Sequence, residues 1–230
     1  GAANAVNLLV LASGGFTIVD SSLNQPGAAV AVTAGTNAVQ PVYSTASTAN
    51  LVVGSVVRMT NLTGQANLSG YDFTIDTLVP NTSFRVANPL ANAPGAAATA
   101  GFYRIIPYDP IYYPSRRNLV NITQAQNAVV TTSVNHGYVA GMSVRLNIPV
   151  QFGMTQANGL LVNIRAVTAG TFTTDLDTTA FTAFVFPSAA LVPFTPASCV
   201  PVGEETDQFS NPNLLDDATI NTAYIGVTLG

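Results

Sequence analysis

The sequence predicts an all-β protein built from two tandem small β-barrel or sandwich domains with extended N- and C-terminal arms. Three observations carry that expectation: an internal duplication, a composition of strand and turn formers, and short period-two apolar runs between closely spaced turn signals. The run 32–39, ending in Asn37, Ala38 and Val39, returns as 122–129, ending in Asn127, Ala128 and Val129, an offset of ninety. A second match, Gly54, Val57, Arg58 and Met59 with Gly141, Val144, Arg145 and Leu146, has an offset of eighty-seven, which places a small insertion at Gln40 and Pro41. Phe73 and Ile75 correspond to Val162 and Ile164, and Phe84 to Phe172. Solenoid units run to about 20–50 residues, so a period near ninety describes whole domains.

Composition points the same way. Charged residues make up 8% of the 230-residue chain, against about 25% in an ordinary soluble domain. All seven basic residues are Arg. Aliphatic and β-branched residues with Thr, Asn, Gly and Pro supply most of the rest, the inventory of strands and tight turns. Disordered chains are poor in apolar residues and rich in charge, the reverse of this one. So few charges leave little to hold free copies apart, and much of the surface is expected to be covered by neighbours.

Residues 1–30 read as an N-terminal arm with strands at 6–11 and 16–19 joined at Ser13, Gly14 and Gly15, a turn signal that suits a hairpin or an arm joining another sheet. Repeat one spans 31–106, with strands expected at 52–59, 71–75 and 84–86 and turns at 61–64, 69–70 and 80–81. A Pro/Tyr-rich linker covers 107–118, where each proline fixes its own φ and restricts the residue before it. Within it Tyr108, Tyr112 and Tyr113 stand beside Arg116 and Arg117, a mix enriched at protein interfaces, and these five are the interface candidates. Repeat two covers 119–186. A Pro-rich and acidic segment, 187–230, holds Glu204, Glu205, Asp207, Asp216 and Asp217, five of the eleven acids, then a strand-like run at 219–229. One short helix is conceivable at 213–219, after an Asn-Pro-Asn cap.

Repeat two has its own pattern. His136, Gly137 and Gly141 precede Val144 and Leu146; Asn158 and Gly159 follow Phe152, Gly153 and Met154; then come Phe172, Asp175, Asp177, Phe181 and Phe184. Gly137 and Gly141 permit positive φ on either side of a tight turn, which His136 would stabilise with an imidazole hydrogen bond. Repeat one has Ala49 and Asn50 in place of His136 and Gly137, Asn being the residue next most tolerant of positive φ. Asn158 and Gly159 form a hairpin signal. Over about sixty residues this pattern resembles the small β-barrel module known as similar to the first catalytic cysteine half-domain of ubiquitin-activating enzymes. The resemblance implies a structural component of a tailed bacteriophage, without the ubiquitin chemistry, which requires an adenylation domain and a separate cysteine domain.

The residue inventory favours no catalytic class. Cys199, the single cysteine, sits between prolines with no basic residue near it in sequence, which marks it as structural. His136 occurs in one repeat only, and Asp175 with Asp177 reads as a solvated turn. No phosphate loop, nucleophile elbow or basic patch appears, and no apolar run reaches membrane-spanning length. No signal segment is evident either. With the setting that the resemblance implies, the expectation is a non-enzymatic virion subunit, associated with the neck or tail, assembled symmetrically through its arms and linker and needing no metal or cofactor. Its partners would be further copies and neighbouring virion proteins, with no nucleic acid or membrane and a possible host-surface glycan. A capsid decoration protein and a glycan-binding module of a fibre or cell surface are the alternatives, with a polysaccharide hydrolase behind them.

Overall fold

The protein is all-β: a computed structural model describes residues 26–107 and 116–202, together with the backbone of 6–10 and 16–20. β1 (Val6–Val10) and β2 (Phe16–Asp20) pair antiparallel as a two-stranded sheet of their own, as the Gly-Gly signal predicts. The expected helix at 213–219, the strand-like run at 219–229, and Tyr108, Tyr112 and Tyr113 lie outside the described residues.

The first repeat contributes β3 (Val30–Val32), β4 (Ala34–Gly35), β5 (Val42–Ser44), β6 (Val56–Thr63), β7 (Asp72–Val79), β8 (Ser83–Val86) and β9 (Ala100–Ile106). They form one antiparallel sheet in the order β3-β9-β6-β7-β8-β5-β4. Its two end strands are parted only by Thr33, so the sheet wraps until it nearly meets itself. The second repeat contributes β10 (Arg117–Ile122), β11 (Val129–Thr132), β12 (Ser143–Asn147), β13 (Leu161–Val167), β14 (Thr171–Thr174) and β15 (Ser198–Val202). These close into a barrel, β10-β11-β14-β13-β12-β15. With β3 and β4 taken together as the counterpart of β10, the two pairing orders are the same.

Alternation explains the strands. In β8 and β14 every second residue is buried, which sends Phe84 and Phe172 into the core at 1% and 0% exposure. The same logic corrects one boundary. The first long strand starts at Val56, not at 52, and Val52 and Val53 are exposed in the turn before it. Val139 is exposed in the matching turn of repeat two.

Hydrogen bonds that occur twice set the true register of the duplication. The Gly54 amide donates to Ile75 O at 2.8 Å, and the Gly141 amide to Ile164 O at 2.8 Å. The Gly70 amide donates to Met59 O at 2.7 Å, and the Gly159 amide to Leu146 O at 2.8 Å. Thr36 Oγ1 accepts from the Val42 amide and Thr123 Oγ1 from the Val129 amide, both at 2.9 Å. The offset is thus already eighty-seven at Thr36. The Asn-Ala-Val match at ninety is out of structural register, and no insertion falls at Gln40 and Pro41. The two extra residues enter between Leu146 and Gly159, where repeat two has an additional 3-10 turn, Val150–Phe152.

Two further expectations change. β15 comes from the Pro-rich stretch placed outside repeat two, so the second barrel runs to Val202 and lacks its sixth strand if cut at 186. β10 starts at Arg117, inside the expected linker. Nor are the barrels independent beads, because one apolar core runs through both, including Tyr43, Phe73 and Phe84 of the first with Val130, Phe152 and Phe172 of the second. Asn88 Nδ2 donates to Thr132 O at 2.5 Å and Asn67 Nδ2 to Pro187 O at 2.7 Å. The Ala91 amide donates to Val120 O at 2.9 Å, and the Tyr71 and Phe186 rings meet edge-on at 5.5 Å. Buried polar groups paired across a shared apolar core make the junction specific as well as cohesive.

Candidate functional site in the second barrel

The second barrel gathers the chain's only His and only Cys into one buried cluster. His136 precedes the Gly137 turn, Tyr138 follows it, and β15 brings Cys199 opposite Arg117 of β10. The His136 Nε2–H donates to Thr171 O at 3.0 Å, while Nδ1 accepts from the Tyr138 amide at 2.9 Å. Both bonds require the neutral imidazole with its proton on Nε2. Burial is the main cause holding the His136 pKa below its ordinary value, and the positive Arg117 acts in the same direction. The ring also packs against Tyr138 at 5.0 Å and edge-on against Phe172 at 5.5 Å.

Cys199 is fully buried, 3.5 Å from the Tyr138 hydroxyl, and burial pushes its thiol up to about 11. Tyr138 and Arg117 pull the other way, too weakly to offset desolvation. Strand pairing thus supplies the basic neighbour that linear sequence did not show. The result is nonetheless a protonated thiol, and thiolate is the reactive form. Both His136 nitrogens are occupied by backbone groups, so the imidazole has no lone pair left to activate a nucleophile. The cluster is built to hold the turn.

The turn residues take the conformations their types allow. Gly137 has φ of 73° and Gly141 of 93°; Asn50 and Gly54, their counterparts in the first barrel, have 65° and 93°. Asn158 and Gly159 do not form a two-residue hairpin. Asn158 closes the 3-10 turn Thr155–Ala157 with an extended backbone, its Oδ1 accepts from the Ile148 amide, and Gly159 follows at φ of 80°. Ser69 and Gly70 repeat this arrangement in the first barrel.

Of the interface candidates within the described residues, Arg116 is exposed and Arg117 is buried at 3%. The Arg117 guanidinium lies 5.9 Å from the Tyr138 ring centroid and donates to Arg116 O. Asp175 and Asp177 occupy the solvated turn that the sequence suggests. Asp175 accepts from the Asn163 amide and Nδ2, and Asp177 from Thr179, bonds that depress both carboxyls below their ordinary pKa. No cluster of three or more metal-ligating side chains occurs among the described residues.

The outer faces of the two barrels differ in charge. In the first, Arg58 forms a two-pronged pair with Asp72 at 2.7 and 2.9 Å, and Arg85 with Asp76 at 2.9 and 2.8 Å. In the second, β12 sets Arg145 opposite Leu161, which takes the place of Asp72. Arg145 donates instead to Gly159 O at 2.8 Å, and Leu161 is 52% exposed. A cleft of about 190 Å3, lined by Gly54, Thr74, Ile106 and Asn135 among others, opens at the junction. It is smaller than the roughly 300–1,000 Å3 of small-molecule sites. No protein-family model and no curated protein matches the chain.

Proposed function

We propose that this protein is a non-enzymatic structural subunit of a tailed-phage virion, associated with its neck or tail. One observation carries the structural role. What the two barrels hold in common is turn chemistry and core packing, with the turn hydrogen bonds repeated, whereas His136 and Cys199 occur in one barrel only and are engaged internally. A fused pair of barrels with few surface charges is a rigid block suited to contact with neighbours. The virion setting rests on the resemblance of the second repeat to modules of tailed-phage structural proteins. Against a glycan-binding role, Phe102 is the one aromatic among the large apolar residues left exposed in the described part.

Sedimentation velocity on the full chain tests the structural role, with concentration-dependent association expected. A monomer that stays soluble at high concentration would overturn it. Immunolabelling of particles in the electron microscope tests the setting: label at the neck or tail supports the reading, label over the shell favours capsid decoration, and unlabelled particles reject both.

A further inference from the structure

We propose that the outer face of the second barrel, centred on Arg145 and Leu161, receives the acidic segment 203–217 of a second copy of this chain. The inference rests on the subunit reading above and names the contact that joins the copies. Charge is partitioned sharply along the sequence. The described stretches between 26 and 202 contain all seven Arg and four Asp, while 203–217 contains Glu204, Glu205, Asp207, Asp216 and Asp217 and no basic residue. Within the first barrel, Asp72 and Asp76 already neutralise Arg58 and Arg85. Arg145 has no carboxylate within ion-pair distance among the described residues, and its strand partner is an exposed leucine. The face therefore pairs a guanidinium with apolar surface, and the segment offers carboxylates close to Leu214 and Leu215.

The direction of β15 favours a second copy over the chain's own segment. β15 passes Arg145 at Val200 and leaves the described residues at Val202, opposite Ser143, heading away from Arg145. β12 pairs with β15 along its whole length, from Ser198 to Val202, so the edge of β15 that faces Arg145 is closed to a return of the chain. A segment from one copy laid on the face of the next closes a two-fold dimer where the exchange is reciprocal and generates a ring or a filament where it is not.

Two experiments on the full chain test this. Sedimentation velocity compares the wild type with Arg145→Glu, and with Arg145→Glu combined with Glu204→Arg and Glu205→Arg. Association should weaken about tenfold in the first variant and return in the charge-swapped one. In the second experiment, Leu161→Cys chains are mixed with Asp207→Cys chains under mild oxidation; Cys199 is buried and stays out of the reaction. Mass spectrometry should find disulfides joining position 161 of one chain to 207 of another. Association that persists without that cross-link, unchanged by Arg145→Glu, overturns this docking while leaving the subunit reading intact. A wild type monomeric at all concentrations overturns both. A cross-link formed within a single chain, in a protein carrying both substitutions, overturns the second copy as occupant.

Discussion

Substituting Gly170 tests the junction between the barrels most directly. A Cβ placed on Gly170 would collide with the whole Asn88 amide, Oδ1, Cγ and Nδ2 alike. Asn88 is 6% exposed and its amide donates to Thr132 O across the junction, while Gly170 O accepts from the Thr132 amide at 3.0 Å. In Gly170→Ala the amide is driven off its acceptor, at a cost of about 1–3 kcal/mol for the broken buried bond and a similar amount for strain. A total of roughly 2–6 kcal/mol corresponds to a fall in Tm of roughly 4–24 °C for a chain of this length. Asn88→Ala alone removes the bond without the collision and costs about 1–3 kcal/mol. The double variant has room for the new methyl group and should be no less stable than Asn88→Ala, so the coupling should be as large as the cost of Gly170→Ala itself, roughly 2 kcal/mol or more. Calorimetry on the four proteins completes the cycle, and the wild type should unfold in one transition because its core is continuous. Additive losses, or two separate wild-type transitions, would refute the junction as described.

Three further outcomes follow from the same geometry. Because burial lowers the His136 pKa, its contribution is fully present above the unfolded value near 6.5 and is lost as pH falls toward the folded value, at up to about 1.4 kcal/mol per pH unit. Urea melts between pH 8 and 5 should show that slope in the wild type and lose it in a less stable His136→Gln variant. Cys199 should react with Ellman's reagent only at the rate of unfolding, since its thiol is buried and protonated; rapid labelling of the native protein would contradict the cluster. Asn50, at φ of 65°, should tolerate Gly without loss, whereas Asn50→Ala should cost about 1 kcal/mol in thermal melts.

The turn-forming residues show how much of the site was legible. Gly137 and Gly141 could be assigned to a positive-φ turn because glycine's freedom is a property of the residue itself, and Asn50 could be seen to stand in for Gly137 for the same reason. Arg117 beside Tyr138 and Cys199 could not be foreseen, since only the pairing of β10 with β15 joins residues eighty-two positions apart. Asn88 carried no signal either, for it is one more Asn in a chain rich in them until Thr132 O lies above it.

By itself the sequence determined the all-β class, the duplication, and the alternation that buries Phe84 and Phe172, since propensity and period act over a few neighbouring residues. Tertiary structure alone decided the register of the two copies, the recruitment of β15 from a Pro-rich stretch, the fusion of the barrels, and the ion pairs that close one outer face and leave the other open. Each of these depends on hydrogen bonds and packing between distant segments, whose partners are set by the closure of the whole sheet.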